Sequence, residues 1–305
     1  MSDPIWGVDL GGTKIEVSVF NLDGSKVDII DRQRVPTEAT KGYQHIINQI
    51  GKLISSAKAK TGLEPKHIGF STPGTTEPST GLMKNCNTVV MNEQPMKQDI
   101  EDALGIPVTL TNDANCFAVA EARIGIVHDV VPDARIVFGV IMGTGCGGGV
   151  VIDGKVITGH HGIGGEWGHN FLHESGGECY CGSIGCVERI ISGTSVQRYY
   201  HEQSGQKKVM KDIVAAYRGN SDPIATQSME RLFQMFGQAI SVIINILDPD
   251  AIVLGGGLGN IDELYTHGVK EVEKHIFNKR VVTTPFLKPK LGDSAGVFGA
   301  ALIGA

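Results

Sequence analysis

The first part of the chain alternates apolar and polar positions in a way that predicts β-strands. The run Ile5–Leu10 is short and apolar, and Ile15–Phe20 carries β-branched residues on alternate positions. The turn sequence Asn21–Gly24, which follows directly, predicts a hairpin. Further strands are predicted at Val27–Ile30 with Arg32–Val35, at His67–Ser71 and at Val108–Leu110.

Three segments of this part have the spacing of amphipathic helices. Tyr43–Lys58 has apolar residues three and four positions apart, which is typical of a helix with one buried face. Helices are also predicted at Met96–Leu104 and at Asn115–Gly125. The order β-β-β-α-β-α-β-α indicates a mixed α/β lobe.

The second part repeats the opening pattern. Arg135–Met142 is an apolar run followed by a glycine turn and then by a predicted hairpin of Gly149–Ile152 and Lys155–Thr158. We interpret this as a weak internal duplication, based on pattern and not on identity. Later elements are a long helix at Gln227–Leu247, a strand at Ala251–Leu254 and a helix of small apolar residues at Ser294–Ala305.

Length and composition limit the classes of protein to consider. A chain of 305 residues is about twice the usual domain length, so two lobes are expected. The net charge of −6 argues against a nucleic-acid partner, and no apolar run is long enough for a membrane span. The N-terminus lacks the pattern of a signal peptide, and Cys86, Cys116 and Cys146 are scattered. We therefore expect a cytoplasmic protein without a membrane partner.

The most informative segment lies between Glu166 and Glu188. It brings together one imidazole and three thiols, from His169, Cys179, Cys181 and Cys186. Four such ligands with no open position are typical of a structural zinc site. The alternative is that these residues only lie near one another in sequence. The two flanking carboxylates indicate that the zinc segment also presents acids to a ligand.

Three glycine turns follow three predicted strands. Asp9-Leu10-Gly11-Gly12-Thr13-Lys14 and Gly143–Gly149 occupy equivalent places in the two halves, and Gly255–Gly257 follows a third strand. Backbone N–H groups in such turns bind phosphate, while Asp9 is suited to hold Mg²⁺ through water. The third turn leaves room for a flat ring. Together the three turns predict a nucleotide site.

A carboxylate at the end of a strand is the candidate general base. Asp113 follows the strand Val108–Leu110 and stands beside Asn112, which is suited to hold a substrate hydroxyl. The structural alternative is that Asp113 only caps the helix that follows.

In this order the motifs DLGGTK, STPG, NDAN, GTGCGGG, ExGH, CxCGxxGCxE and GGG resemble the ROK (repressor, open reading frame, kinase) family of sugar kinases. The resemblance covers the chain from Gly7 to the C-terminus. It implies an actin/hexokinase-like (ribonuclease H-like) α/β fold with two lobes and with ATP and sugar in the interlobe cleft. The lobes are expected at residues 1–118 plus about 292–305 and at residues 119–291, the second carrying the zinc site. The resemblance also implies a homodimer.

The resemblance assigns roles by position. Asp113 would deprotonate the acceptor hydroxyl, and the sugar would contact Gly74, Asn87, Asn112, Asp113, Glu166, His169 and Glu188. His169 would bind zinc through one ring nitrogen and the sugar through the other. The phosphates of ATP, with Mg²⁺, would face Asp9, Gly11, Gly12, Thr13 and Lys14 and be gripped by Thr144 and Gly145, while Gly256 and Gly257 would line the adenosine.

The implied activity is that of an ATP:hexose phosphotransferase acting on O6 of glucose or a similar aldohexose. The alternatives are N-acetylglucosamine, N-acetylmannosamine or fructose as substrate. A tryptophan common in the family after Asn87 is absent here, where Thr88-Val89-Val90-Met91 follows, so the substrate stays open. Two non-kinase alternatives are a sugar-sensing protein or activator-type ATPase of the same fold, and a repressor. We expect no repressor, because the first turn begins at Asp9 and leaves no room ahead of it for a DNA-binding domain.

Overall fold

The computed structural model describes residues 3–305, in which strands and helices alternate. The strands are β1 (Ile5–Leu10), β2 (Lys14–Asp23), β3 (Lys26–Pro36), β4 (Ile68–Thr72), β5 (Thr75–Thr76), β6 (Met83–Lys84), β7 (Val108–Asn112), β8 (Ile136–Met142), β9 (Cys146–Ile152), β10 (Lys155–Val156), β11 (Ala251–Gly255) and β12 (Phe286–Leu287). The helices are α1 (Tyr43–Thr61), α2 (Met96–Leu104), α3 (Asp113–Arg123), α4 (Ile126–Val130), α5 (Glu188–Ile191), α6 (Gly193–Ser204), α7 (Met210–Arg218), α8 (Pro223–Leu247), α9 (His267–Glu273) and α10 (Ala295–Gly304). Of the helices in these described residues, none is long and apolar enough to cross a membrane.

The chain divides into two compact units. The first contains the described residues up to Ala134, with Gly149–Gly165 and Lys290–Ala305, and the second contains Arg135–Gly148 and Glu166–Pro289. Residues 119–134 and 149–165 thus lie in the first unit, although the sequence placed them in the second lobe. The physical reason is packing: α3 continues past residue 118 and contacts both α10 and β10.

The first unit is built on a five-stranded sheet with the order β3-β2-β1-β4-β7. The hairpin predicted from Asn21–Gly24 is present, since β2 and β3 pair antiparallel around a tight turn. Strands β1, β4 and β7 are parallel, with Asp9 beside Ser71 and Thr72 beside Asn112. Because parallel strands end at the same edge, this register places the chemically active residues of three strands side by side.

Helix α10 packs closely onto the sheet of the first unit. A Cβ atom on Gly7 would lie 2.1 Å from the carbonyl oxygen of Val297, and one on Gly69 would lie 1.8 Å from that of Ala300. Only glycine permits this approach of helix and strand. The contact is completed by the rings of Phe20 and Phe298, whose centroids are 5.0 Å apart.

The second unit repeats part of this topology. Strands β8, β11 and β12 are parallel, as β1, β4 and β7 are in the first unit. The predicted duplication is therefore visible in strand direction. Helix α8 begins four residues earlier than predicted because Asp222 caps it, accepting hydrogen bonds from the backbone of Ile224 and Ala225.

A buried carboxylate in the first unit leads to a prediction about stability. Glu121 is fully buried in α3 and accepts backbone N–H groups from Ile126 at 2.9 Å, Lys290 at 3.1 Å and Leu291 at 2.8 Å. It thereby fastens the segment that leads into α10. Glu121→Ala leaves three backbone donors without their acceptor and opens a cavity at a fully buried position, so it should lower the free energy of unfolding by about 3 kcal/mol or more.

Urea denaturation followed by circular dichroism measures this loss. The matched control is Glu64→Ala, since the Glu64 side chain is 75% exposed and its ion pair with Lys58 contributes little. Equal losses in the two variants would contradict the role given to Glu121.

Candidate active site

The carboxylate of Asp9 lies at the end of β1, where the parallel strands of the first unit terminate. The hydroxyl of Ser71 donates to Asp9 Oδ1 at 2.7 Å. Burial raises the pKa of the Asp9 carboxyl above its ordinary range, and the Ser71 hydrogen bond opposes this rise. A cation at this position would favour the ionised form, so the environment suits a carboxylate that works beside a metal ion.

The first glycine turn, between β1 and β2, is closed by its own backbone. The N–H of Gly11 donates to the carbonyl of Lys14 at 2.9 Å, and the Thr37 hydroxyl donates to the carbonyl of Gly11 at 2.6 Å. The N–H of Gly11 is therefore used in a hydrogen bond within the turn, while Gly12 and Thr13 are exposed to solvent. A Cβ on Gly12 would lie 3.4 Å from the hydroxyl of Thr88, so the turn lies beside the segment that carries Asn87.

Asn112 and Asp113 occupy the junction of β7 and α3. The Asn112 side chain caps the helix, accepting from the N–H of Ala114 at 2.9 Å, and donates to the carbonyl of Gly74 at 3.4 Å. Asp113 is the first residue of the helix and is exposed, with Oδ1 2.8 Å from the same Ala114 nitrogen. Asn112 is therefore the N-cap of the helix, and Asp113 accepts the same N–H from the first helical position.

Gly74 and Asn87 lie on the loops next to this junction. Gly74 has a φ of 88°, and a Cβ there would lie 2.5 Å from the carbonyl oxygen of Lys84. The Asn92 side chain binds both the N–H and the carbonyl of Cys86, at 2.8 and 3.0 Å, and so fixes the exposed Asn87 that follows.

In the second unit the motif ExGH is anchored by its two middle residues. Trp167 is buried, donates from Nε1 to the carbonyl of Gly147 at 2.9 Å and packs edge-on against Phe138. A Cβ on Gly168 would lie 2.0 Å from the carbonyl oxygen of Cys146, so a larger residue does not fit. Glu166 and His169 flank these two fixed residues, and both side chains are half-buried.

Glu188 joins this motif to the second glycine turn. Its Oε2 accepts the N–H of Cys146 at 2.9 Å, directly after Thr144 and Gly145. Burial raises the pKa of Glu166, the charge of Glu188 adds to the rise, and His169 opposes it. The three predicted sugar-binding residues of this unit are thus close enough to influence one another.

The four predicted zinc ligands come together. One ligand atom from each of His169, Cys179, Cys181 and Cys186 lies within 4.8 Å of the others. The sulfurs of Cys181 and Cys186 are 3.6 Å apart, and Cys179 Sγ is 3.7 Å from His169 Nδ1. Zinc–sulfur bonds of about 2.3 Å at tetrahedral angles separate two sulfurs by about 3.8 Å, so the donor set and its spacing fit zinc.

The second nitrogen of His169 has a partner that the sequence did not predict. The Tyr180 hydroxyl lies 3.0 Å from His169 Nε2, with the two rings edge to face. Lost solvation at the hydroxyl raises the pKa of Tyr180 to about 12, and the negative charges of Glu188, Cys179, Glu166 and Cys181 add to the rise. The hydroxyl of this residue therefore lies at His169, which is both a predicted zinc ligand and a predicted sugar ligand.

A cavity of about 760 Å³ opens between the second glycine turn and α7. It is lined by Thr144 and Gly257, both predicted for the nucleotide, and by Gly143, Gly193, Leu258 and Asn260. The opposite wall comes from α7, through Met210, Lys211, Val214, Ala215 and Arg218. The mixture of backbone turns, apolar side chains and two cations suits a nucleotide.

A family model described as "ROK family" matches residues 5–304 of the chain. The chain belongs to the ROK family. This confirms the resemblance drawn from the motifs.

Individual relatives of this ROK protein match along nearly its whole length. It is 35% identical over 309 residues to the N-acetyl-D-glucosamine kinase of Aliivibrio salmonicida, covering 98% of each chain. The ROK hexokinase of Thermus thermophilus is similar in structure, with a TM-score of 0.87, 28% identity and coverage of 99% and 97%. A ROK family glucokinase from Streptomyces griseus, in complex with glucose and AMPPNP, has a TM-score of 0.76, 26% identity and coverage of 99% of each chain. These likenesses confirm the mixed α/β fold class.

Several site residues of this ROK protein were missed by sequence reasoning. Ser71 belongs to the motif STPG but was given no role of its own, and Thr88 stands in a short stretch without a distinguishing spacing. The residues of α7 that line the cavity are missed because an amphipathic helix is predicted to bury its apolar face, not to expose it to a ligand. Tyr180 was overlooked because only the cysteines around it carry a recognisable spacing.

Proposed function

We propose that this chain, a sugar kinase of the ROK family, transfers the γ-phosphate of ATP to a hydroxyl of N-acetyl-D-glucosamine. The observation that carries the proposal is the 35% identity, over 98% of both chains, with a relative named N-acetyl-D-glucosamine kinase. The sequence placed glucose first and the 2-acetamido sugars second. The glucokinase with bound glucose is only 26% identical to this chain, so sequence similarity supports a 2-acetamido sugar better than glucose.

The loop after Asn87 supports an acetamido substrate. Val89 and Val90 are 74% and 38% exposed, in the segment after Asn87 that lacks the tryptophan common in the family. Small apolar side chains leave more room than an indole ring and provide a surface for the methyl of an acetamido group. In the second unit Glu166, His169 and Glu188 would accept or donate hydrogen bonds to ring hydroxyls.

Asp113 is the proposed general base. It is exposed at the start of α3, and the one helix N–H that its Oδ1 accepts, from Ala114, is shared with the N-cap Asn112. The attacking sugar hydroxyl would pass its proton to this carboxylate as phosphoryl transfer proceeds. Asn112 keeps a second amide hydrogen for a neighbouring sugar hydroxyl, while its oxygen orients the helix.

ATP is assigned to the turns and to the cavity beside α7. Gly12 and Thr13, with Lys14, would face phosphates in the first unit, and Thr144 and Gly145 would do so in the second. Gly256 and Gly257 would lie against the adenosine. When bound, Mg²⁺ would neutralise phosphate charge, and Asp9 is the residue suited to hold it through water. A homodimer stays a prediction from the resemblance.

Zinc is assigned to His169, Cys179, Cys181 and Cys186 as a structural ion. With all four positions filled by protein ligands, it would order the segment and fix the orientation of the imidazole. His169 Nδ1 faces the cysteine sulfurs, so Nε2 is the nitrogen left for the sugar.

A comparison of sugars tests the proposed function. With ATP, kcat/KM should be highest for N-acetyl-D-glucosamine among a set that also contains N-acetylmannosamine, glucose, mannose, fructose and allose. A coupled assay of ADP release measures each rate, with a sugar-free reaction as the control. A higher kcat/KM for glucose would restore the first reading, and ADP release independent of sugar would favour an ATPase.

Replacement of the proposed base separates chemistry from binding. Asp113→Asn keeps the shape of the side chain but removes the proton acceptor, so kcat should fall about 10²- to 10⁴-fold. The Kd for the sugar, measured by calorimetry without nucleotide, should change little. Asp102→Asn, on the exposed surface of α2, is the matched control and should leave both quantities unchanged. A parallel loss of binding and rate in Asp113→Asn would remove its assignment as base.

Removal of zinc should affect the sugar before the fold. A strong chelator should release one zinc ion per chain, and KM for the sugar should rise about tenfold or more, because His169 loses its fixed orientation. Metal content is measured by mass spectrometry and folding by circular dichroism, and added Zn²⁺ should restore KM. An unchanged KM in metal-free, folded protein would show that zinc and sugar binding are independent.

A further inference from the structure

The Tyr180 hydroxyl occupies the nitrogen of His169 that the proposed function assigns to the sugar. We infer that Tyr180 is an affinity-lowering cap on His169, which closes this nitrogen in the sugar-free protein and must be displaced when a hexose binds. The inference rests on the proposed function, because that function gives His169 Nε2 its ligand.

The geometry is that of a directed contact. Tyr180 Oη lies 3.0 Å from Nε2, the ring centroids are 5.1 Å apart, and the ring planes meet at 85°. Yet the Tyr180 side chain is 77% exposed. A large aromatic side chain with so little burial is held at this place mainly by its contact with the imidazole, so rotation away from His169 exposes little further apolar surface.

The metal ligands determine the direction of this hydrogen bond. His169 Nδ1 faces Cys179 Sγ at 3.7 Å and would give its lone pair to zinc. The imidazole then carries its proton on Nε2, so Nε2 donates and the Tyr180 oxygen accepts. A sugar hydroxyl oxygen that binds Nε2 must take the place of the phenol oxygen, because one N–H makes one good hydrogen bond at a time.

The flanking residues allow the side chain to move without the backbone. Tyr180 stands between Cys179 and Cys181, both in the ligand set, and the N–H of Cys179 donates to the carbonyl of Ser183 at 2.8 Å. The main chain is therefore fixed on both sides, and opening consists of a side-chain rotation alone. Each sugar that binds must first break the contact between Tyr180 and His169, and this cost lowers its affinity.

Tyr180→Phe tests the cap, since it removes only the hydroxyl. Without the competing acceptor, the Kd for N-acetyl-D-glucosamine, measured by calorimetry without nucleotide, should fall about two- to tenfold. KM for the sugar should fall in parallel, while kcat and KM for ATP stay unchanged. The direction of the change is diagnostic, because loss of a residue that binds sugar would raise Kd.

Tyr217→Phe is the matched control. The Tyr217 hydroxyl lies 3.2 Å from His267 Nδ1, also in an exposed tyrosine–histidine pair, and this variant should leave the Kd for sugar unchanged. Zinc content of Tyr180→Phe should equal that of the wild type. A Kd for sugar that is unchanged or raised, or a loss of zinc, would overturn the inference. If the wild type phosphorylates no hexose, the proposed function fails, whereas a variant that fails to tighten sugar binding in an active kinase removes the cap alone.

Discussion

One hydrogen bond determines the arrangement of the predicted site in the second unit. Glu188 Oε2 accepts the backbone N–H of Cys146 at 2.9 Å, and Gly145 leaves no room for a side chain there, since a Cβ would lie 2.5 Å from the same oxygen. Glu188 comes two residues after the last cysteine of the predicted ligand set, and Cys146 comes directly after Thr144 and Gly145, which are predicted to bind phosphate. The bond therefore couples the proposed sugar wall to the proposed phosphate turn, so that a shift of one displaces the other.

In the first unit, too, hydrogen bonds of single side chains hold the predicted site residues in place. Asn112 caps α3 with its oxygen and contacts Gly74 with its amide, and Ser71 holds Asp9. These polar contacts lie where three parallel strands end, the usual place for ligands in an α/β sheet. Side chains that support the fold and face a ligand at once give mutants with mixed effects, so binding and rate must be measured separately.

Sequence patterns predicted most of the fold for identifiable reasons. The apolar face of α1 is buried as its spacing indicates, and β1 ends at Asp9 and Leu10 as the apolar run does. Sequence could not place residues 119–134 in the first unit, because that depends on the tertiary contact of α3 with α10. In the site, the cysteine spacing predicted a cluster that the structure brings together, whereas Tyr180 carries no spacing signal and is found only through its distance to His169.

Between Phe171 and Ile184 the cysteine-bearing segment has little apolar burial of its own to hold it. Phe171, Tyr180 and Ile184 are 70%, 77% and 58% exposed, and much of the order comes from backbone contacts such as those of Leu172 and His173 with the carbonyl of Gly185. A segment this poor in buried apolar surface needs another constraint to stay in one conformation, and a metal ion bound by the four predicted ligands would supply it. With zinc bound, the orientation of His169, and with it the position of every group that contacts its Nε2, would depend on the ion as well as on the packing of Trp167.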